Sequence, residues 1–241
     1  MNYEQRTMNR TSGTLYVVAT PIGNLKDITL RAIETLKSAD LIVCEDTRHT
    51  GKLLRHYEII KPTLSLHEHN ERTRTPELLK RLYDGEHLAL VCDSGTPLIS
   101  DPGWWLVHRA IEHELPVTWI PGPSAFLGAL VLSELPVEQF AFEGFLPTKP
   151  GARAKRLAAL RNDNRTIVLY ESPHRLLKTL REIRQVVGNI PMACARELTK
   201  VFEEVRRGTV DELIAHFERS ATRGEFVLVL GPPRRYLQSE K

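Results

Sequence analysis

Residues 88–103, LALVCDSGTPLISDPG, pass from consecutive apolar residues straight into a polar run broken by glycine and proline. A buried strand that opens into a loop reads this way. Leu88, Ala89, Leu90, Val91 and Cys92 supply the strand. Asp93, Ser94, Gly95, Thr96 and Pro97 then supply a carboxylate, two hydroxyls, one residue free to take positive φ and one with φ locked. The pattern recurs: residues 15–19 end in Thr20-Pro21-Ile22-Gly23-Asn24, and residues 117–120 end in Pro121-Gly122-Pro123-Ser124-Ala125. Residues 41–44 end in five polar residues, Glu45-Asp46-Thr47-Arg48-His49. Helical stretches separate these strands, so the first half is expected to be an open, largely parallel α/β sheet with a ligand cleft along its carboxyl edge.

The intervening helices are read at 50–57, 75–83 and 104–114, with a further strand at 63–66. Another helix follows Asp27, read as its cap, and carries Leu30, Ile33 and Leu36 on its apolar face. A boundary falls at 135–139, where a helix begun at Ser124 ends in Leu-Pro. The second half restarts with a strand at 140–145 and continues with strands at 166–170, 193–196, 202–205 and 226–230. Its helices lie at 154–161, after Pro173, and at 210–219. The expected organisation is thus an N-terminal α/β domain over 13–136 and a C-terminal α/β domain with a more mixed sheet over 137–231. A frayed arm (1–12) and a tail (232–241) flank them.

At 241 residues, with 41% hydrophobic and 26% charged residues, the chain is long enough for two ordinary cores. A net charge of +3 permits a nucleic-acid partner without demanding one. Cys44, Cys92 and Cys194 lie far apart with no CxxC, which fits buried reduced thiols in a reducing cytoplasm. No apolar run approaches the roughly 18 residues that span a bilayer, so no membrane partner is expected.

Several chemistries lack their signatures. G-x-G-x-x-G and G-x-x-x-x-G-K-[ST] are absent, and Asp93-Ser94-Gly95 lacks the first glycine of a nucleophile elbow. His67-Glu68-His69 stands in a polar loop without further ligands at metal spacing, so no metal is expected. What remains is a set of Pro/Gly/hydroxyl loops with few fixed cations, suited to a neutral or zwitterionic ligand held through backbone groups.

The segments VATPIGNLKDIT, ADLIVCEDTRHT, CDSGTPLISDPG, PGPSA, EGFLPTKPGAR, YESPHRL, ARELTK and GEFVLVL occur in this order over nearly the whole chain. Together they resemble the ribosomal RNA small-subunit methyltransferase I family, of the tetrapyrrole-methylase-like superfamily, which methylates a cytidine 2′-hydroxyl. The resemblance implies two α/β domains with S-adenosylmethionine in the cleft between them, in a homodimer acting on small-subunit ribosomal RNA or the assembled small subunit. It also implies cofactor contacts from Pro21, Gly95, Thr96, Pro97, Ile99, Ser124 and Ala125, with Ser172, Gly224 and Phe226 from the second domain. Thr20 to Asn24 replace the Gly-rich loop of the corrin-ring methylases, which favours the ribosomal branch. A small-molecule methylase of the superfamily and a non-catalytic RNA-binding assembly factor are the alternatives.

A 2′-hydroxyl needs alignment and a base that takes its proton late. Glu45, Asp46 and Glu171 are the candidate bases, each with a structural ion pair or helix cap as its alternative role. Arg48, Lys149, Arg153, Lys155 and Arg156 are candidates for RNA phosphates. Asp93 and Asp101 are expected to brace their own loop, His174 and Arg175 to cap and solvate a helix start, and Trp104 and Trp105 to serve as helix core or dimer contact.

Overall fold

A computed structural model of the chain describes residues 12–220 and 222–233, so nearly all of the expected arm and tail lie outside the described residues. The chain divides into two compact units between Pro123 and Ser124. The helix that follows Ser124 therefore goes with the second unit rather than closing the first.

The first unit runs β1 (Leu15–Val18), α1 (Leu30–Ser38), β2 (Leu41–Cys44), α2 (Thr47–His56), β3 (Thr63–Ser65), α3 (Glu71–Tyr83), β4 (Leu88–Leu90), α4 (Trp104–Glu112) and β5 (Val117–Ile120). Its strands form one parallel sheet in the order β3-β2-β4-β1-β5. Both faces are covered, which is why the strands read as near-continuous apolar runs. Ile42, Cys44, Ala89 and Val91 face α1 and α2 through Ala32, Leu36, Leu53 and Leu54. Leu41, Val43, Leu88 and Leu90 face α3 and α4 through Leu78, Leu82, Leu106 and Ala110. β1 and β4 are neighbours whose outgoing helices leave on opposite faces. That reversal opens a crevice between their loops, where α/β sheets hold ligands.

Two helix starts differ from expectation. Thr29, not Asp27, caps α1: its hydroxyl accepts from the Ala32 amide at 3.1 Å, Asp27 belongs to a preceding 3-10 turn, and Leu30 is 79% exposed. α3 begins at Glu71 rather than Thr75, because its first turn, Glu71 to Arg74, is polar and leaves no apolar periodicity to read.

The second unit comprises α5 (Ala125–Val131), β6 (Phe140–Phe145), α6 (Pro150–Leu160), β7 (Thr166–Glu171), α7 (Leu176–Val186), β8 (Pro191–Arg196), β9 (Glu204–Thr209), α8 (Val210–Arg219) and β10 (Phe226–Leu230). The sheet order is β6-β7-β10-β8-β9, parallel only between β6 and β7. This is the mixed sheet expected of the second half. Leu157, Leu180, Ile183, Leu213 and Phe217 of α6, α7 and α8 pack on one face against Ile167, Leu169, Cys194 and Leu228. On the other, Phe126 of α5 meets Phe142, which meets Tyr170, with centroids 4.6 and 5.0 Å apart. A strand was expected at 202–205, but β9 starts at Glu204 and Phe202 is 72% exposed. The antiparallel β8/β9 pair needs a reversal there, and left-handed Glu197 (φ 49°) and Thr199 (φ 68°) begin it.

Candidate functional site

The loops after β1 and β4 are stitched together. Thr20 and Gly95 exchange backbone hydrogen bonds (2.8 and 3.1 Å), the Thr20 hydroxyl donates to the Cys92 carbonyl (3.1 Å), and the Thr96 hydroxyl donates to the Pro123 carbonyl (3.4 Å). Gly95 takes φ +85°, a region where a side chain is strained. Leu98 (φ 73°) and Ser100 (φ 67°) take left-handed backbone without being glycine. Each such residue costs on the order of 1 kcal/mol, and such strain collects at ligand clamps. Pro21, Gly95 and Pro97 are buried, and Thr96 and Ile99 are half-buried.

Glu71, from α3, fixes the far end of this loop. Its Oε1 accepts from the backbone amides of Gly103 (3.0 Å), Trp105 (2.7 Å) and Leu106 (3.3 Å). It caps α4 from another helix, satisfying amides that a helix start leaves unpaired. Sequence inspection could not find this contact, because capping rules look one to three residues away and Glu71 lies in a different helix.

Carboxylates crowd the same edge. Asp46 caps α2 by accepting from the Arg48 amide (2.8 Å) and pairs with the Arg48 guanidinium. Those bonds hold its carboxyl well below the usual range. Burial pushes Glu45 up, and the charges of Asp93 and Glu68 add to it. Burial also raises Asp101, with Glu45 the next cause, to about 6. Asp93 braces the neighbouring loop rather than its own: its Oδ1 accepts from the Asp46 amide at 3.3 Å. Among the described residues no group of three or more His, Cys, Asp or Glu could hold a metal ion.

In the second unit, Glu171 is 2% exposed and accepts from Arg153, Arg175, Thr179 and the Ser172 amide. Every lone pair is engaged, so it is not placed to take a substrate proton. Arg153, read as a phosphate contact, is 3% exposed and pairs with Glu171 and Glu182. Its aliphatic neighbours on α6, Leu157 and Leu160, turn that face inward, so it cannot reach RNA. Lys149, Lys155 and Arg156 are exposed, Arg156 beside Glu143. Arg48 is exposed as well.

Ser124, Ala125 and Ser172 are half-buried. Gly224 takes φ +91°, and a Cβ there would lie 2.4 Å from Glu197 Cγ, so no side chain fits. Phe226 is core, edge-on to Phe217 at 5.7 Å, leaving only its backbone for a ligand. Trp104 is 59% exposed and stacks on His108, and Trp105 lies beneath Arg72, so the helix core is made instead by Leu106 and Ala110. Cys44, Cys92 and Cys194 are buried free thiols.

A strained loop at the carboxyl edge of a β3-β2-β4-β1-β5 sheet, followed by a mixed five-stranded unit, agrees with known relatives. The family profile for Tetrapyrrole (Corrin/Porphyrin) Methylases matches residues 14–214, and the chain belongs to that family. A uroporphyrin-III-C-methyltransferase from Thermus thermophilus shares the fold, with TM-score 0.63 and 21% identity over 94% of this chain and 98% of that one. Within the class, the chain belongs with the ribosomal RNA small subunit methyltransferase I proteins. It is 51% identical to the one from Synechocystis sp. over 90% of this chain and 78% of that one. It is 47% identical to the one from Thermotoga maritima over 90% of this chain and 98% of that one.

Proposed function

We propose that the chain transfers the methyl group of S-adenosylmethionine to the ribose 2′-hydroxyl of a cytidine in small-subunit ribosomal RNA, in the cytoplasm and as a homodimer. The observation that carries this reading is the loop held between Thr20 and Glu71. Gly95 and the left-handed Leu98 and Ser100 turn the chain out of the sheet ladder at the carboxyl edge, where α/β sheets hold ligands. Membership among proteins named as ribosomal RNA methyltransferases supports the RNA substrate.

The residues present fit the methyl donor. Of the assigned contacts, Thr96 offers a backbone donor and Pro21, Pro97 and Ile99 backbone acceptors to a zwitterionic amino acid end and an adenine, while Gly95, bonded to Thr20 through both its backbone groups, shapes the turn. Ser124, Ala125, Ser172 and the backbone at Gly224 and Phe226 are assigned to it from the second unit. Glu45, Asp93 and Asp101 repel one another, which a positive sulfonium would relieve. When bound, the donor supplies an electrophilic methyl carbon, which passes to the ribose oxygen as its bond to sulfur breaks.

Of the candidate bases, Glu45 fits best. Asp46 is too acidic, being tied to Arg48, and Glu171 is engaged on both oxygens. Glu45 is half-buried with its proton affinity raised, so it holds a proton better at neutral pH than a free carboxylate. Arg48, Lys149, Lys155 and Arg156 would position phosphates. A flexed or splayed nucleotide must present its ribose for this chemistry.

The test is transfer of labelled methyl from S-adenosylmethionine to small subunits, free small-subunit RNA and tetrapyrroles, followed by nuclease mapping of the product. Label in a ribose-methylated cytidine from the RNA or particle supports the reading. Label on a tetrapyrrole overturns the substrate, and donor binding without transfer to any of them overturns the activity.

A further inference from the structure

Glu171, Arg153, Arg175, Thr179 and Glu182 form a network beside the end of β7. Glu171 Oε1 accepts from the Ser172 amide (2.8 Å) and Arg175 Nε (2.9 Å). Its Oε2 accepts from Arg175 Nη2 (3.3 Å), Arg153 Nη2 (3.4 Å) and the Thr179 hydroxyl. Arg153 also pairs with Glu182 and donates to Thr179. The buried pair Arg153–Glu171 is thus flanked by the partly exposed Arg175 and Glu182. The network reaches outward through Arg175 Nη2, which donates to the Leu146 carbonyl at 3.1 Å, and through Glu182, which lies 4.0 Å from Lys178 Nζ. Leu146 opens the loop that leads to Lys149, and Ser172 opens the loop after β7. A single guanidinium therefore ties together two loops that β6 and β7 deliver to the same edge of the sheet.

We propose that Glu171 and Arg175 are positioning residues, a latch that holds the Ser172 turn and the Leu146 loop in one arrangement and thereby couples binding of the methyl donor to binding of RNA. The proposal rests on the reading of Ser172 as a donor contact and Lys149 as a phosphate contact. Glu171 does no proton transfer. It orients Arg175, and Arg175 reaches across to Leu146. The planar fork of arginine is essential, because it serves Glu171 with Nε and Nη2 while the same Nη2 holds a carbonyl. A lysine keeps the charge, but its donors sit on one nitrogen at the end of a flexible stem, so it cannot hold the two-point contact with Glu171 and the Leu146 carbonyl in one fixed plane.

The discriminating variant is Arg175→Lys in the full-length protein, with Glu171→Gln as its companion. Hydrogen exchange is read first, because it does not depend on the assigned activity. Arg175→Lys is expected to speed exchange at least about 10-fold in both 146–149 and 172–175, leaving β7 and β10 protected. Calorimetry should then show the donor Kd rising about 5-fold, and the KM for small subunits should rise by a similar factor. The single-turnover pH profile should keep its shape. If only one loop loosens, or if both loosen while donor Kd and particle KM stay at parental values, the latch is overturned. If Glu171→Gln folds, keeps the parental donor Kd and loses the acid limb of its pH profile, Glu171 is the base and the proposal is wrong. Should Glu171→Gln not fold, Arg175→Lys decides alone. A parent protein that binds no S-adenosylmethionine would overturn the functional reading while leaving the exchange result to judge the latch.

Discussion

Removing the Glu71 carboxylate tests whether the loop over 93–103 is held by a contact made in trans. Three amides converge on one oxygen, those of Gly103, Trp105 and Leu106. Losing an N-cap costs about 0.5–2 kcal/mol, and the charge at a helix N-terminus adds about 0.3–1 kcal/mol. Gly103 is buried, and its amide cannot readily turn to water. Glu71→Ala should therefore destabilise the first unit by about 2–3 kcal/mol. Glu71→Gln, which keeps an acceptor and loses the charge, should cost about 1 kcal/mol. All three tryptophans, Trp104, Trp105 and Trp119, lie in the first unit, so their fluorescence during urea unfolding reports on that unit alone. At about 2–4 °C per kcal/mol, the alanine variant should also melt roughly 4–12 °C lower. An alanine variant within about 0.5 kcal/mol of the parent would refute the argument, since it would mean the loop is held without Glu71.

Asp101 binds its proton more tightly folded, up to about 6, than unfolded, so its contribution to stability is greatest at low pH and is lost as pH rises between about 4 and 6. Asp101→Asn should flatten that slope and raise stability at pH 7 by about 1 kcal/mol once solvent screening is allowed for, as urea midpoints across pH will show. Gly95→Ala places a side chain at φ +85° and should cost about 1–2 kcal/mol while weakening donor binding in calorimetry. Lys149→Ala combined with Lys155→Ala should weaken RNA binding and lower its salt slope by about 1–2, measured by titration between 50 and 200 mM salt. An unchanged slope would remove these lysines from the interface, whereas Arg153→Ala should act on folding instead.

Most of the architecture was legible because its signals are local. Strands buried on both faces read as LIVC or FVLVL, and the breaks into glycine and proline marked several strand ends, including the one after β4, whose loop is strained at Leu98 and Ser100. What escaped the sequence depends on residues far apart. Arg153 looks like its neighbours Lys155 and Arg156, and only the turn of α6 separates the residue that points into the core from those that point to solvent. Glu171 reads as a loop carboxylate until Arg153 arrives from α6. The Glu71 cap was hidden for the same reason, being made to amides that no window of a few residues contains. The reversal between β8 and β9 escaped differently, because its left-handed positions, Glu197 and Thr199, are not glycines.

The strand order of the first unit also bears on how the chain folds as it is made. β1 is synthesised first, yet Leu15 pairs with Leu88 on one side and Val117 on the other. Until β4, the central strand, has left the ribosome, β1 has no neighbour and β2 and β3 can pair only with each other; β5 then adds to the free edge of β1. Such non-local pairing folds slowly and exposes apolar strand edges meanwhile. A nascent chain that stops before Leu88 should be a chaperone client, and the same chain extended past Ile120 should not.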